Sequence, residues 1–357
     1  MLPYWILFAV FAAGSLEYRR RGLTGSTSNP ILVAAAIGVV LMVGLRFEVG
    51  GDWETYRRIF DFVRMTGQIN FDGADLAYTS LNWVGAKLGV EVWFVNLACA
   101  AVFVWGFWRF ARQQPNPWLA FLIAVPYLII VVAMGYTRQA VAIGIILAGL
   151  SVRDRISIAR FGLLLLLAVL FHKTAVVVLP LVGLASSRNR LVTMLFFFML
   201  TIVLFYFFLS SSVDRMVTNY IGASFDSQGA FIRVAMNIPP AILFLAFKKR
   251  FALSPDAEKL WTNFSIAALV SIVLLLLLPS STVVDRFALY LIPLQVFVLC
   301  RLPYIFSDRQ RANGQLVVAV ILYSAMIQFV WLNYAVYSRW WLPYQFYPTA
   351  VGSDIDE

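Results

Sequence analysis

The sequence has little of the charge that soluble proteins carry. Charged residues make up only 13% of its 357 residues and apolar residues 61%, whereas soluble domains average about 25% charged and about 45–50% apolar. The polar gaps between its apolar runs are too short for a separate soluble domain, which needs at least about 50 residues. We therefore predict an integral membrane protein in which residues 1–357 form a single membrane domain.

The chain also lacks the residue groups of several common kinds of site. It has one histidine and two cysteines, and Cys99 and Cys300 lie in apolar runs without metal-ligand spacing. Asp72 and Asp75, in an exposed loop, are expected to be solvated acids. Neither a glycine-rich phosphate loop nor a Gly-x-Ser-x-Gly nucleophile elbow occurs. We expect no metal and no cofactor.

Apolar runs of roughly helical length recur along the whole chain. The predicted membrane segments are 2–16, 30–45, 91–108, 118–134, 139–152, 158–171, 174–185, 191–209, 232–247, 261–278, 287–300 and 315–335. With the first loop cytoplasmic, 17 of the 28 lysines and arginines fall inside and 11 outside, as the positive-inside rule requires. The predicted fold class is an all-α polytopic integral membrane protein with about 12 segments, some of them short.

The net charge of +10 does not indicate a nucleic-acid partner. The basic residues are dispersed among short loops and form no continuous basic stripe of the kind that binds a phosphate backbone. Membrane topology accounts for them instead, and membrane lipids are the expected surroundings.

Two pairs of segments are too short for two full crossings of about 20 residues each. Residues 118–152 turn at GYTRQ, and residues 158–185 break at His172 and Lys173. The second pair is either two short tilted crossings or a re-entrant hairpin. In both cases its tip, like that of the first pair with Arg138, should lie below the outer membrane surface and within reach of a water-filled cavity.

The main periplasmic loops are predicted at 46–89 and 210–231. The first contains RFEVGGDWETYRRIFD, which is unusually rich in charge for a stretch beside an apolar run. After Asp52, which is placed to cap a helix, apolar residues recur at helical spacing: Trp53, Tyr56, Phe60 and Val63. We predict an amphipathic helix along the outer surface.

Three motifs resemble those of the EpsG family of Wzy-type bacterial polysaccharide polymerases. They are VGLRFEVGGDWETY at 43–56, GYTRQAVA at 135–142 and LFHKTAVVVLPL at 170–181, in the family's order. The resemblance implies a glycosyltransferase C-like membrane fold in the bacterial inner membrane. It also implies that the protein polymerises oligosaccharide units carried on a polyprenyl diphosphate, at the periplasmic face, into exopolysaccharide or O-antigen.

Such a transfer needs cations for the leaving diphosphate, a base for the incoming hydroxyl and flat surfaces for sugars. The candidate diphosphate ligands are the cations on the predicted outer side near segment ends: Arg46, Arg138, Lys173, Arg215, Arg233 and Arg286. Arginine suits this role because its planar fork binds phosphate oxygens bidentately. A single arginine at a segment end is equally compatible with snorkelling to the head groups.

The candidate bases are His172, Asp52 and Glu48. His172 is the only histidine, and with Lys173 it interrupts an otherwise apolar stretch, where polar residues are costly and favour a function. Asp52 fits helix capping and catalysis equally. The candidate sugar-stacking residues are Trp53, Tyr56, Trp83 and Tyr136, although aromatic residues also gather at membrane interfaces without binding a ligand.

Two other functions fit the same features. A ligase or single-addition glycosyltransferase would use the same polyprenyl-linked donor. A flippase for lipid-linked oligosaccharide would also need a basic cavity, but the charges within the membrane collect on the outer side and do not continue across it. A chain-length regulator is a further candidate partner.

Overall fold

The computed structural model describes residues 1–21, 29–69, 75–152, 158–185, 190–216, 229–278, 281–307 and 312–353. These residues are almost entirely helical. In chain order the α-helices are α1 (Leu2–Arg21), α2 (Pro30–Gly44), α3 (Trp53–Thr66), α4 (Leu76–Lys87), α5 (Val92–Ala111), α6 (Pro117–Ala124), α7 (Thr137–Val152), α8 (Ile158–Phe171), α9 (Val178–Gly183), α10 (Arg190–Met216), α11 (Ala230–Ala235), α12 (Ile238–Phe247), α13 (Pro255–Leu277), α14 (Ser281–Ala288), α15 (Ile292–Ile305), α16 (Gly314–Tyr334) and α17 (Tyr347–Ser353).

Each of the twelve predicted apolar segments coincides with helical structure. Within the described residues, five helices are long and apolar enough to cross a membrane: Val92–Ala111, Ala230–Phe251, Pro255–Leu277, Ser281–Ile305 and Gly314–Tyr334. Six further apolar helices have 10–17 residues, among them Pro117–Ala133 and Thr137–Val152. The chain is therefore a polytopic helical membrane protein, and the number of crossings stays a prediction.

The most deeply buried elements of the described chain are α6, the π-helical segment that follows it, and α7. α6 begins at Asn116, whose side chain accepts a hydrogen bond from the Leu119 N–H, and it continues into a π-helical segment, Val125–Ala133. Every residue of α6 and of the π-helical segment is buried. The π-helical segment leads directly into the GYTRQ turn, and π-helical turns are frequent at functional sites.

Close glycine contacts hold α7 against its neighbour α5. A Cβ atom on Gly144 would lie 2.7 Å from the Phe103 Cα, and one on Gly106 would lie 1.9 Å from the Gly144 carbonyl oxygen. The backbones of α5 and α7 therefore touch directly, a common way of packing helices in membranes. Cys99 and Cys300 are fully buried, as packing residues should be.

The loop 46–89, which the sequence predicts to be periplasmic, contains two helices. α3 buries Trp53, Tyr56, Phe60 and Val63, the four positions that the sequence pattern selects, and it ends at Gly67, whose φ of 65° suits glycine. α4 follows and packs against both α3 and α8. The predicted cap is wrong in one respect, because Asp52 occupies the N-cap position of α3 but its side chain makes no capping hydrogen bond.

The second predicted loop, 210–231, is shorter in the structure. α10 continues to Met216, and α11 begins at Ala230. Residues 217–228 lie outside the described residues, as does Asp72 of the first loop.

Candidate functional site

Charged residues from five separate parts of the chain meet at one end of the helices. Asp52 precedes α3, Asp75 precedes α4, Arg138 lies in the first turn of α7, His172 and Lys173 stand at the break after α8, and Arg286 lies in α14. Asp52 lies close enough to Arg138 and His172 for both to act on its ionisation. We call the set Asp52, Asp75, Arg138, His172, Lys173 and Arg286 the charged cluster.

Asp75 is the most connected residue of the charged cluster. Its Oδ2 atom accepts a hydrogen bond of 2.9 Å from Arg138 Nη1 and lies 3.1 Å from His172 Nδ1. Its Oδ1 atom accepts a 3.2 Å hydrogen bond from the Lys173 backbone N–H. Only 3% of the Asp75 side chain is exposed. The prediction of a solvated acid is wrong for Asp75, because the fold brings two motifs distant in sequence onto one carboxylate.

The break after α8 explains how His172 reaches this position. The His172 N–H closes the last turn of α8 on the Ala168 carbonyl, and its own backbone is extended, with φ −156° and ψ 111°. A short 3₁₀ helix, Lys173–Val177, follows and leads into α9. His172 and the Lys173 N–H therefore both face α4, which supplies Asp75.

Arg138 joins Asp75 to the aromatic face of α3 and α4. Its guanidinium carbon lies 5.7 Å from the ring centre of Tyr56 and 5.9 Å from that of Tyr78, distances at which cation–π attraction operates. Its side chain remains 25% exposed, and its buried Nε atom has no hydrogen-bond partner. Arg138 is thus fixed on one side and accessible on the other.

Asp52 and Asp75 differ in how they are held. Burial raises the pKa of Asp52, and the nearby Arg286, Arg138 and His172 offset only part of that effect. For Asp75, burial acts in the same direction, but His172, Arg138 and the Lys173 N–H together hold its pKa below the ordinary value. Asp75 is therefore an ionised, fully engaged carboxylate, whereas Asp52 is an acceptor whose charge is poorly compensated.

Arg286 completes the charged cluster from α14. Its backbone carbonyl accepts a 2.7 Å hydrogen bond from Gln139 Nε2, which ties α14 to the first turn of α7 beside Arg138. The Tyr290 hydroxyl lies 3.2 Å from Thr174 Oγ1 and links the same region to the 3₁₀ helix after His172. The partly exposed Arg286 side chain acts on Asp52, so it faces the same space.

The other predicted cations have different surroundings. Arg233 forms a bidentate ion pair with Asp285, with distances of 2.8 Å from Nε to Oδ1 and 2.7 Å from Nη2 to Oδ2. It borders an apolar groove of about 340 Å³ between α11 and α16. Arg215 belongs to the last turn of α10, and its side chain lies outside the described residues.

Arg46 is fully buried and bonded only to the protein. Its guanidinium donates to the Val43 and Val49 carbonyls at 2.6 and 3.1 Å, to Thr137 Oγ1 at 2.7 Å and to Asn96 Oδ1 at 3.4 Å. These bonds join the end of α2 to the start of α7, directly before Arg138. No surface of Arg46 is open to a ligand, so the geometry does not favour its predicted contact with a diphosphate.

Glu48 and two of the predicted sugar-stacking residues stand apart from the charged cluster. Exposed Glu48 and buried Trp53 line a surface pocket on one flank of α3, together with Arg57 and Tyr347. Trp83 donates its indole N–H to the Gly67 carbonyl at the far end of α3. Their predicted roles find no support in these positions.

Tyr56 and Tyr136 do lie beside the charged cluster. Buried Tyr56 sits under the Arg138 guanidinium. Tyr136, which is half-buried, interacts electrostatically with Arg233 and Asp285 on one side and with Asp52 and Arg286 on the other. It therefore connects the charged cluster to the apolar groove.

A cavity of about 360 Å³ opens on the other flank of α3 and reaches the Asp75–Arg138 pair. Thr55 and Arg58 of α3 line it from one side, and Tyr78 and Thr79 of α4 from the other. Ile59, Phe62 and Val63 complete a largely apolar lining, to which Arg58, Arg138 and Thr55 add polar groups. Such a mixed lining suits a ring-shaped ligand that has both apolar faces and hydroxyl groups. Among the described residues, no group of three or more metal-ligating side chains is placed to hold a metal ion.

Fold and site together define a polytopic membrane protein with a partly buried cationic site, which is reached by a cavity of mixed polar and apolar lining. The sequence profile of the EpsG family matches residues 31–346, nearly the whole chain, and the protein belongs to this family. Membership implies a role as a Wzy-type polysaccharide polymerase. No curated protein and no solved structure matches the chain.

Proposed function

We propose that the protein transfers a growing glycan from one polyprenyl diphosphate to the terminal hydroxyl of the next lipid-linked repeat unit, at the periplasmic face of the bacterial inner membrane. The observation that supports this proposal best is the charged cluster. It combines anion-binding donors, proton acceptors and an adjoining cavity of mixed lining at one end of the helices. A glycosyl transfer that releases a diphosphate requires these three features together.

Arg138, Arg286 and Lys173 form the diphosphate site in this proposal. Arg138 and Arg286 are partly exposed, and the Gln139 bond holds their helices together. Arginine stays charged and binds phosphate oxygens through two parallel donors. Arg233 is a weaker candidate, because its fork already holds Asp285.

His172 acts as the base, and Asp52 orients the sugar. The acceptor hydroxyl oxygen attacks the anomeric carbon while its proton passes to the His172 imidazole. The bond between the anomeric carbon and the diphosphate oxygen breaks, and the oxygen leaves with the electron pair and remains bound by Arg138 and Arg286. Asp52, with no capping bond to its side chain, accepts a hydrogen bond from a neighbouring sugar hydroxyl.

The acceptor unit enters through the cavity between α3 and α4. Exposed Thr55 offers a hydroxyl group there, Arg58 and Arg138 offer guanidinium groups, and Ile59 and Phe62 offer apolar surface for a sugar ring. The carrier's apolar tail stays in the lipid beside the bundle. This arrangement presents the terminal sugar to the charged cluster without moving the carrier out of the membrane.

The test is to incubate the purified protein in lipid with its polyprenyl-diphosphate oligosaccharide and to separate the products by size. We expect a ladder spaced by one repeat unit. A ligase would instead join glycan to a different acceptor, and a flippase would change no molecular mass. If no product larger than the substrate appears with the correct repeat unit, the proposal is wrong.

Matched arginine variants test the diphosphate site. Arg286→Lys keeps the charge and removes the fork, so we expect at least about a tenfold loss of turnover. Arg58→Lys makes the same change in the cavity wall and should affect acceptor KM more than turnover. Equal, small effects of both changes would argue against bidentate binding by Arg286.

A further inference from the structure

The Asp75 side chain makes long-range contacts and does not cap α4. It stands at the N-cap of α4, where an aspartate commonly accepts a hydrogen bond from the first turn, yet its side chain makes no such bond. Both oxygens point instead to α7 and to the break after α8. If the Asp75 carboxylate served only to begin α4, a capping hydrogen bond to the first turn of that helix would be the more stable arrangement.

The geometry at His172 depends on which ring nitrogen carries the proton. An ionised carboxylate oxygen can only accept, so at 3.1 Å from Asp75 Oδ2 the His172 Nδ1 atom must donate. In the neutral ring, the Nε2 atom is then left unprotonated as an acceptor. That protonation pattern is the one a base for the acceptor hydroxyl requires.

The same oxygen also fixes Arg138. Asp75 Oδ2 receives Arg138 Nη1 at 2.9 Å, while Oδ1 receives the Lys173 N–H at 3.2 Å. The base and one cation of the diphosphate site are thereby held at a set distance from each other by one buried group. Nothing in this arrangement requires Asp75 to touch the substrate.

We propose that Asp75 is a positioning residue that holds His172 in the tautomer with Nδ1 protonated and aligns Arg138 beside it. The proposal rests on the proposed function for its catalytic consequence, but the tautomer can be measured without any substrate. The proposal about Asp75 and the proposed function can therefore fail separately.

The direct measurement is nitrogen-15 NMR of the protein in lipid nanodiscs, labelled at histidine and purified without a histidine tag. Because His172 is the only histidine, its two ring nitrogens give the only imidazole signals. At neutral pH we expect a protonated Nδ1 and an unprotonated Nε2. A wild-type ring that is protonated at Nε2 would overturn the proposal without the need for any variant.

Asp75→Asn tests the cause of that tautomer. The amide can donate to Nδ1, so we expect the population to shift towards the form protonated at Nε2. Asp61→Asn is the control, since Asp61 pairs with Arg64 at 3.4 Å on the exposed surface of α3 and should leave both signals unchanged. An unchanged tautomer in a folded Asp75→Asn protein would contradict the proposal.

Kinetics separate positioning from a purely structural role. Asp75→Asn should lower kcat by on the order of 10- to 100-fold with a smaller change in KM, as for other groups that orient a functional histidine. In a His172→Gln background the same change should cost much less, because the residue it positions is gone. Full additivity of the two changes would show that Asp75 acts independently of His172 and would overturn the proposal.

Discussion

Asp52 and Asp75 belong to the same site but differ in the groups that contact them. Asp75 has three donors and an ionised carboxylate, and Asp52 has nearby cations but no capping bond. Buried polar groups without full compensation reduce stability, and they are retained where a ligand supplies the missing contact. The contrast supports the proposed roles, in which Asp75 holds other side chains in place and Asp52 binds the substrate.

Asp52→Asn should raise stability while lowering activity. Because the folded-state pKa of Asp52 is raised above its unfolded value, its charge destabilises the folded protein at neutral pH, and this penalty disappears as the pH falls through the folded pKa. We expect Tm to rise by on the order of 2 °C at neutral pH and the gain to vanish in acid. Scanning fluorimetry at several pH values measures this.

Asp75→Asn should change the stability in the opposite direction and serves as a control. The pKa of Asp75 is lowered in the folded protein, so its stabilising effect is present above the unfolded pKa and is lost as the pH falls through the folded pKa. The asparagine variant should therefore be less stable than wild type at neutral pH and approach it in acid. If both asparagine variants shift Tm in the same direction at neutral pH, the distinction between the two acids is wrong.

Arg46→Lys should reduce stability and leave substrate binding by the folded protein intact. An ammonium group cannot reach all four acceptors of the Arg46 fork, so buried acceptors lose their partners at a cost of about 2–4 kcal/mol. Thermal unfolding and KM measured on the same preparation check this. A normal Tm together with a large rise in KM would restore the diphosphate role predicted from the sequence.

The sequence predicted the helices that carry the site more accurately than it predicted the side-chain contacts within the site. Helical spacing identified the buried face of α3, and the two short hairpins located Arg138 and His172, because periodicity and segment length are local properties. Asp75 was missed, since a single acid in a loop gives no local signal and its partners lie 63 and 97 positions away. Arg46 was misjudged because burial depends on how α2, α5 and α7 pack together.

At the scale of elements, the segment after α16 supports the GYTRQ turn. Trp341 is 1% exposed, and its indole N–H donates to the Ile130 carbonyl of the π-helical segment at 2.7 Å. A Cβ atom on Gly135 would lie 2.5 Å from the Trp341 ring, and one on Gly50 would lie 2.3 Å from the Met134 carbonyl oxygen. The two motif glycines thus let the loop before α3, the turn before α7 and the C-terminal segment pack as one unit.

Trp341→Ala should loosen this unit and the site above it. Removing a buried indole costs about 3–5 kcal/mol, and the turn that aims Arg138 loses its support. We expect a lower Tm and a large loss of polymerisation. The adjacent Trp340→Ala is the matched control, because Trp340 is 50% exposed and should tolerate the change. Comparable losses in both variants would contradict a specific role for Trp341.

At the scale of the whole molecule, orientation decides whether the charged cluster can meet its substrate. The positive-inside count predicts that the loop 46–89, and with it α3, α4 and the charged cluster, lies on the periplasmic side. The basic stretch from Lys248 to Lys259 then faces the cytoplasm. A site for lipid-linked glycan at the outer face requires this arrangement, so the topology and the proposed function can be tested together.

Variants with a single introduced cysteine can report this orientation once the native, buried Cys99 and Cys300 are replaced by alanine. Met65→Cys lies on α3 with an 83% exposed side chain, and Lys259→Cys lies exposed in α13. In spheroplasts, a membrane-impermeant maleimide should label the first cysteine at once and the second only after permeabilisation. The reverse pattern would place the charged cluster in the cytoplasm, where a donor already moved to the outer leaflet cannot reach it. Labelling of both before permeabilisation, in spheroplasts that exclude a cytoplasmic marker dye, would mean that an even number of crossings separates Met65 from Lys259, and the predicted path of the chain between α4 and α13 would have to be redrawn.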